Sequence, residues 1–277
     1  MLSALERFAP LPLQESWDNA GLQVGLTETE VSGALLCLDV NERIIDEAMA
    51  KGCNLVVSHH PLLFRGLKTI SDLTDVQRTV RKAILNGIAV ISMHTNMDNA
   101  RGGVNFRIAQ KLGLEKVTFL VNGPSTSIPE LRSPTRSLSG AAVAEPVEAQ
   151  SGSGVMGELP EALAADDFIL KVKKTFGVEC AMCNELLRRP VKKVAICGGA
   201  GDFLLDEALK AGADAFITGE MHYHQYFGYE QQIQICVIGH YQSEQFTAEV
   251  FEEIIQQECP GVKTVIAETN TNPILYL

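Results

Sequence analysis

The chain has 277 residues, of which 46% are hydrophobic and 21% charged, a balance typical of globular proteins and unlike that of disordered chains. Its 34 acidic residues outnumber its 23 basic ones, and the resulting net charge of −11 argues against binding along a nucleic-acid backbone. No apolar run reaches the roughly 18 residues of a membrane span, and the first residues do not resemble a signal peptide.

Short β-rich segments alternate with helical patterns, which predicts an α/β fold of parallel sheets covered by helices. The predicted strands are Ala34 to Val40, Asn54 to Ser58, Ile88 to Met93, Lys193 to Cys197, Ala213 to Thr218 and Ile233 to Ile238. The predicted helices are Glu42 to Lys51, Asp75 to Asn86 and Asp206 to Lys210. A glycine follows each helix, as expected for the left-handed residue that ends many helices.

Two segments of the chain repeat each other at a constant offset of 160 residues. Residues 31–64 align with residues 191–224 without a gap, and 6 of the 34 positions are identical. Each copy is followed by another apolar strand that ends in His-x-x-x-acid, with His94 and Asp98 in one half and His240 and Glu244 in the other. We therefore predict two pseudo-symmetric α/β lobes that arose by internal duplication.

The segment between the copies, residues 122–154, is rich in Ser, Pro, Ala and Gly and has no sustained periodicity. This composition predicts a linker or mobile insertion, and we expect no catalytic residue there. The first lobe is then predicted to comprise residues 1–121 together with 230–277, and to carry most of the metal ligands. The second lobe is predicted to comprise residues 155–229.

All six histidines stand just after predicted strands: His59, His60, His94, His222, His224 and His240. In parallel α/β sheets, ligands bind outside the carboxyl ends of the strands, so these side chains can converge although they are far apart in sequence. Taken singly, each histidine is more readily explained as an ordinary polar residue at a strand end. Their joint placement favours a metal site.

The spacing of the ligand candidates suits two metal ions. Pro61 ends the strand after His59 and His60, so the two rings can point toward different ions. His240 and Glu244 share one face if a helix begins near Gln242, and the carboxylate could then bridge two cations.

His94 and Asp98 have the same spacing, although Asn96 and the glycines that follow indicate a loop. Asp98 is the better ligand candidate, with His94 as a neighbour or an acid–base group. A carboxylate in either position could instead cap a helix or lie in a solvated turn.

Five motifs occur in a fixed order along the chain: Ser16-Trp17-Asp18-Asn19-Ala20-Gly21-Leu22-Gln23-Val24-Gly25, Ser58-His59-His60-Pro61-Leu62, His94-Thr95-Asn96-Met97-Asp98, Gly219-Glu220-Met221-His222, and Gly239-His240 with Glu244. In this the chain resembles the NIF-three-like family, also called GTP cyclohydrolase I type 2 homologues, from the N-terminus to Asn272-Pro273. One departure is Asp39-Val40-Asn41, where the family usually has Asp-Val-Thr, which puts a hydroxyl role at Asn41 in doubt.

The resemblance implies two intertwined lobes with a metal site between them, assembled into a ring-like homohexamer. Some relatives carry an inserted domain between the halves, and the short segment here resembles the form without it. Beside the metal ligands, the resemblance places His94, Glu220 and His222, and we expect His94 or Glu220 to move a proton. The implied ligands of two divalent metal ions are His59, His60, Asp98, His240 and Glu244, with Glu244 as the bridge.

Imidazoles and carboxylates without thiolates favour zinc, iron(II) or manganese. Two such ions could lower the pKa of a bridging water and polarise a substrate, so we predict a metal-dependent hydrolase. The resemblance implies a purine nucleotide substrate, through hydrolytic opening of the guanine ring of GTP. A phosphoesterase that acts on nucleotides and a non-catalytic protein that stores, delivers or senses metal stay as alternatives.

Three further signals are weaker. Residues 198–201 read Gly-Gly-Ala-Gly and could cradle a phosphate, but a tight turn explains them better. Cys180 and Cys183 have the spacing of a redox pair or half a zinc site, without a second pair to complete it. Trp17 could line a pocket, although a large aromatic is more often core.

Several of the seven cysteines lie in strand-like runs, as expected for reduced, buried thiols. This use of cysteine is typical of a cytoplasmic protein.

Overall fold

A computed structural model describes residues 1–123, 126–128, 147–149 and 151–276. Its strands are β1 (Gly21–Val24), β2 (Ala34–Cys37), β3 (Leu55–Ser58), β4 (Ala89–Ser92), β5 (Glu115–Asn122), β6 (Thr126–Ile128), β7 (Val147–Ala149), β8 (Gly152–Leu163), β9 (Met182–Cys183), β10 (Val191–Cys197), β11 (Ala215–Thr218), β12 (Gln234–Val237) and β13 (Thr264–Ile266). Its helices are α1 (Leu2–Phe8), α2 (Glu42–Ala50), α3 (Asp75–Leu85), α4 (Thr95–Asp98), α5 (Val104–Leu112), α6 (Ala165–Phe176), α7 (Leu205–Lys210), α8 (His240–Glu244) and α9 (Thr247–Glu258).

The strands form two main sheets with matching plans. The first has the order β1-β4-β3-β2-β13, and the second has the order β5-β8-β10-β11-β12-β9. Three parallel strands form the centre of each, β2, β3 and β4 in the first and β10, β11 and β12 in the second. An antiparallel edge strand flanks each trio, β1 beside β4 and β9 beside β12. The predicted α/β class is confirmed.

The internal repeat is visible in the strand register. Cys37 pairs with Ser58 in the first sheet, and Cys197 pairs with Thr218 in the second, so the register is conserved at the 160-residue offset. Each unit runs from strand through helix to strand, and Gly52 and Gly212 follow α2 and α7 at φ values of +69° and +76°. The glycine pattern therefore ended both helices where expected.

The two sheets share one central core. Alternate residues of each strand face inward, for example Leu36 of β2 and Ile196 of β10, which belong to the same buried cluster. Their neighbours Leu35 and Ala195 face outward into two separate clusters under the outer helices. Because α5, α6 and α9 also bury residues in the central cluster, the two lobes pack as one body.

The chain crosses between the sheets more often than the predicted lobe boundaries allow. The predicted first lobe contained β5 and residues 230–277, but β5 and β12 both lie in the second sheet. β12 joins it because this apolar strand continues the parallel order of the second repeat beside β11. Only the later part of that C-terminal segment returns to the first sheet, through α9 and β13.

The segment predicted as a linker is described only in part. Residues 124–125, 129–146 and 150 lie outside the described residues, and the described parts form the end of β5, β6, β7 and the start of β8. Residues 152–154 were predicted as linker because their hydrophobicity is low. They are in fact the first residues of β8, which pairs with both β5 and β10. Within the described part of the chain, no helix has the length and apolarity needed to cross a membrane.

Candidate metal centre

The strand ends of both sheets meet at one cluster of histidines and carboxylates. His59 and His60 directly follow β3. Two short helices supply the other ligand candidates: α4 follows β4 and ends at Asp98, and α8 follows β12 and runs from His240 to Glu244. The predicted loop around Asn96 is thus a helical turn. Three groups of side chains each have ligand atoms within 4.8 Å of one another: His59, His60 and His94; His60, His240 and Glu244; and His59, Asp98 and Glu244.

His59 presents an unpartnered nitrogen to this cluster. Its ring is completely buried, and Nδ1 lies 2.9 Å from the carbonyl oxygen of Met93, which only accepts, so Nδ1 carries the proton. Nε2 is buried without a hydrogen bond and lies 3.6 Å from a carboxylate oxygen of Asp98 and 3.6 Å from one of Glu244. A lone pair that faces two carboxylates in this way fits a cation between them.

His60 and His240 are held in the same tautomer. Nδ1 of His60 donates to Asp39 at 2.8 Å, and Nδ1 of His240 donates to Glu220 at 2.8 Å. In neutral rings the Nε2 atoms are then acceptors, yet they lie only 3.3 Å apart. Oε2 of Glu244 lies 3.1 Å from the first nitrogen and 3.2 Å from the second. Three acceptor atoms therefore converge on one point, an arrangement that requires a positive charge.

The pKa values of the two rings reflect the same demand for positive charge. Burial lowers the pKa of His60, but the carboxylates of Asp39 and Glu244 outweigh it and raise that pKa to about 10. Burial likewise lowers the pKa of His240, and Glu244 raises it to about 9. Protons occupy the place of a cation in the metal-free protein, so metal ions must displace them.

The two carboxylates of the cluster differ in their surroundings. Glu244 is buried, and although burial raises its pKa, the adjacent histidines hold that pKa well below its usual range. Burial raises the pKa of Asp98 to about 7, because the opposing effect of His59 is smaller and Glu244 adds its negative charge. Glu244 belongs to two of the three groups of potential ligands, as do His59 and His60, and it is the only carboxylate that does so among the described residues.

His94 stands beside the ligands and is fixed by a carboxylate that the sequence analysis did not assign. Its Nδ1 donates to Asp18 at 2.7 Å, while the backbone amide of Thr95 donates to the other oxygen of Asp18 at 3.0 Å. Burial raises the pKa of Asp18, but the contacts with His94 and Thr95 prevail and lower it to about 2. An ionised Asp18 keeps the proton of His94 on Nδ1 and leaves Nε2 free to exchange protons.

The glycine-rich loop at residues 198–201 serves the carboxylate of Glu244. Gly199 has a φ of +61°, and a Cβ atom there would lie 2.3 Å from Oε1 of Glu244. The amides of the loop are already used, since Gly198 donates to Asn105, Gly199 to Ser243 and Gly201 to Thr218. The loop therefore forms the tight turn that the sequence favoured, and the bonds to these three side chains outside the loop leave the three amides unable to cradle a phosphate.

A cavity of about 750 Å³ lies at the cluster and is lined by residues of both lobes. Its rim carries three exposed aromatic side chains, Trp17, Phe64 and Phe203. Trp17 is 58% exposed, so the expectation that it belongs to the core was wrong; its ring lies 6.0 Å from that of His94. Among the described residues, neither lysine nor arginine lines the cavity. Ser153 and Gly154, from the segment in which no catalytic residue is expected, contribute to its lining.

The remaining predicted residues lie farther out. Glu220 contacts the face of the cluster only through His240, and its side chain is 56% exposed. His222 is 90% exposed and lies 3.4 Å from Asp202, outside the three ligand groups. Asn41, which replaces the family's usual threonine, accepts hydrogen bonds from the amides of Arg43 and Ile44 and caps α2. Asparagine caps helices as well as threonine does, so the replacement preserves the cap. Asn41 is not part of the three ligand groups.

The sequence analysis missed the supporting carboxylates Asp18 and Asp39. Asp39 follows β2, at the same sheet edge as His60, but the predicted strand ran on to Val40 and so hid this position beyond the strand end. Asp18 lies in a loop, 76 residues from His94 in the chain, and no local pattern indicated that contact.

Comparisons with known proteins agree with this architecture. The GTP cyclohydrolase 1 type 2 homolog of Clostridium perfringens is 30% identical over 279 residues, covering 100% of this chain and 98% of that protein. The protein of the same name from Staphylococcus epidermidis strain RP62A is 24% identical over 362 aligned residues that cover 100% of this chain. That relative thus contains residues without a counterpart here, as expected for a short form.

A solved structure of a Staphylococcus aureus protein superposes with a TM-score of 0.86 at 26% identity, covering 100% of this chain and 97% of that one. A Bacillus cereus protein related to NIF3 has a TM-score of 0.84 at 24% identity, covering 99% and 97% of the two chains. The family model described as Duf34/NIF3 (NGG1p interacting factor 3) matches residues 1–273. The chain belongs to the DUF34/NIF3 family.

Proposed function

We propose that this protein is a metal-dependent hydrolase with two divalent ions at the cluster between its sheets. The observation that carries the proposal is the convergence of acceptor atoms, with Nε2 of His60, Nε2 of His240 and Oε2 of Glu244 all within 3.3 Å of one another. The buried, unpartnered Nε2 of His59 supports a second ion on the other side of Glu244. Both positions combine imidazole and carboxylate donors, which suits zinc, iron(II) or manganese.

Two of the three ligand groups share Glu244 and would form two sites, while the third brings His94 beside His59 and His60. His60 and His240 would hold one ion, His59 and Asp98 the other, and Glu244 would bridge them. The hydrogen bonds that Nδ1 of His60 and Nδ1 of His240 donate to Asp39 and Glu220 would orient the ligands and increase their basicity. Glu220 therefore acts as a positioning residue in this proposal, in place of the proton transfer first considered for it.

When bound, such a pair of ions lowers the pKa of a shared water and polarises the substrate. His94 is the residue of this chain best placed to move a proton beside them, because its Nδ1 is committed to Asp18. Its Nε2 can accept a proton from the attacking water and return it to the leaving atom. The low pKa of Asp18 keeps this tautomer fixed across the neutral range.

The cavity walls support a planar substrate ring. Trp17 and Phe64, whose ring centroids lie 5.8 Å apart, form an aromatic wall beside His94, and Phe203 contributes a third ring to the lining. Such side chains favour stacking with a heterocycle such as a purine. The names of the curated relatives point to GTP, so hydrolytic ring opening of a guanine compound is the reaction we propose. Because neither lysine nor arginine is present in the described lining to bind a triphosphate, guanosine is a test substrate beside GTP.

The proposal is tested with protein loaded separately with zinc, iron(II) or manganese and incubated with GTP or guanosine. Formate release is expected, and His94→Asn should lower its rate by about 10² to 10⁴ while the metal content stays unchanged. His222→Asn is the matched control, since this exposed histidine lies outside the cluster. Phosphate release without formate would favour a phosphoesterase. Full metal loading with no product from either substrate would contradict the proposed reaction and favour a storage or sensing role.

A further inference from the structure

A pair of cysteines lies apart from the metal cluster, where the edge strand β9 meets β12. Cys183 is paired directly opposite Cys236 in this antiparallel ladder. Residues opposite each other project to the same face with Cβ atoms about 4.5 to 5.5 Å apart, and disulfides form across Cα separations of about 4.4 to 6.8 Å. Both side chains pack on the central core, which independently places them on one face. The pairing therefore places the two cysteines within the range of backbone separations across which disulfides form.

The two thiols are unequal in a way that suits stepwise oxidation. Cys236 is completely buried, whereas Cys183 is partly exposed. A hydrogen bond with Cys236 lowers the pKa of Cys183, against the effect of burial, and the ammonium group of Lys173 lowers it further. The same hydrogen bond, together with burial, raises the pKa of Cys236. The accessible member of the pair is therefore the one that more readily forms the reactive thiolate.

The sequence spacing suggested a different partner for Cys183. Cys180 stands three residues earlier and is exposed, but it precedes β9 and does not share the ladder with Cys236. In the structure, the cysteine that faces Cys183 across the strands is therefore Cys236 and not Cys180, which the Cys-x-x-Cys spacing suggested.

We propose that Cys183 and Cys236 form a thiol–disulfide exchange site for low-molecular-weight disulfides. The Cys183 thiolate attacks one sulfur of the small disulfide, which forms a mixed disulfide and releases one thiolate of the reagent. The Cys236 sulfur attacks Cys183 and displaces the second thiolate of the reagent, which takes up the Cys236 proton as it leaves. The two protein thiols are oxidised to one disulfide, and the reagent is reduced to two thiols. Oxidation would covalently join β9 to the strand that leads through Gly239 into His240.

The test uses the full-length protein equilibrated with oxidised glutathione, followed by alkylation of the remaining thiols, trypsin digestion and mass spectrometry. The expected product is a cross-link between residues 175–188 and residues 211–263, two hydrogen atoms lighter than the sum of the peptides. Because each peptide contains two cysteines, Cys180→Ser and Cys259→Ser are the matched controls, and both should retain the cross-link.

Cys236→Ala should lose the cross-link and accumulate a glutathione adduct on Cys183, without introducing a polar group into the core. Cys183→Ser, at the partly exposed position, should lose both the cross-link and the adduct. A disulfide between Cys180 and Cys183, or a cross-link that disappears in Cys180→Ser or Cys259→Ser, would overturn the proposal. So would complete alkylation of both cysteines after prolonged exposure to oxidised glutathione.

Discussion

The two copies of the repeat share one strand–helix–strand plan but contribute different kinds of side chain to the candidate metal cluster. In the first copy, the second strand is followed directly by two ligand candidates, His59 and His60. At the offset of 160 residues, the equivalent positions of the second copy are Gly219 and Glu220. Glu220 does not join the ligand groups and instead binds the outer nitrogen of His240. The two copies keep the same strand register, but a ligand candidate in the first, His60, is replaced in the second by a carboxylate that hydrogen-bonds to another ligand candidate, His240.

The loop after the first strand of each copy shows the reverse exchange. In the first copy this loop carries Asp39, which orients His60, and the equivalent residue of the second copy is Gly199. Gly199 makes room for the carboxylate of Glu244. Each copy thus supplies one orienting carboxylate, but from opposite loops, and the comparison shows that a symmetric scaffold can support an asymmetric site.

The largest effect is expected from Gly199→Ala, which tests the space left for Glu244. The new Cβ would lie 2.3 Å from Oε1, so the carboxylate must move and metal binding should be lost. Gly212→Ala is the control, because Gly212 also has a positive φ but has no atom within 4 Å of the new Cβ. Both variants should lose about 1 kcal/mol of folding free energy from backbone strain. Equal metal content in the two variants, measured by elemental analysis, would contradict the assigned role of this loop.

The next prediction concerns the two orienting carboxylates. Asp39→Asn and Glu220→Gln should each weaken metal binding by about 10- to 100-fold, since each removes the partner that fixes a ligand ring. The larger loss is expected at Asp39, because its side chain is 37% exposed against 56% for Glu220 and it also accepts a hydrogen bond from Thr271. Zinc affinity measured by competition with a chelator checks both the losses and their order. Unchanged affinity in both variants would rule out the exchange of roles between the copies.

A smaller, graded effect is expected from pH. The pKa values of His60 and His240 rise from 6.5 to about 10 and about 9, so both rings hold protons that a metal ion must displace. Zinc affinity should therefore increase from pH 6.5 toward pH 9 by about tenfold per pH unit for each proton displaced, and level off above pH 10.

The linked effect on the metal-free fold has the opposite direction. Because the folded-state pKa values are raised, these two rings stabilise the metal-free protein fully below pH 6.5, and that stabilisation is lost as the pH rises through about 9 and about 10. Thermal unfolding in the presence of a chelator should show the melting temperature falling over this window.

The affinity measurement can also contradict the assigned protonation. A zinc affinity that does not change with pH would show that the rings of His60 and His240 are already unprotonated.

The sequence was informative where chemistry follows a strand end. His59, His60 and His240 could be placed because an apolar strand ends shortly before each of them, and the carboxyl ends of parallel strands meet at one edge. The His-x-x-x-acid spacing also placed Glu244 correctly beside His240 once α8 formed. The ring-like homohexamer rests on the family resemblance and stays a prediction, which light scattering of the purified protein can test. The second metal ion also stays a prediction, supported by the unpartnered Nε2 of His59.

The features that the sequence did not reveal depend on contacts between distant segments. Asp18 reaches His94 across 76 residues, and no periodicity encodes such a contact. β8 begins in a Gly- and Ser-rich stretch whose strand character comes from pairing with β5 and β10, which local composition does not report. The exposure of Trp17 likewise depends on where the two lobes leave a cavity.

The central claim is that Glu244 bridges two metal ions, and elemental analysis after saturation with zinc and removal of free metal tests it most directly. Wild-type protein and the Glu230→Gln control, altered at an exposed glutamate, should each retain two ions per chain. Glu244→Gln should lose both, because its carboxylate belongs to both ligand sites. Two ions retained by Glu244→Gln, or no more than one bound by the wild type, would contradict the account.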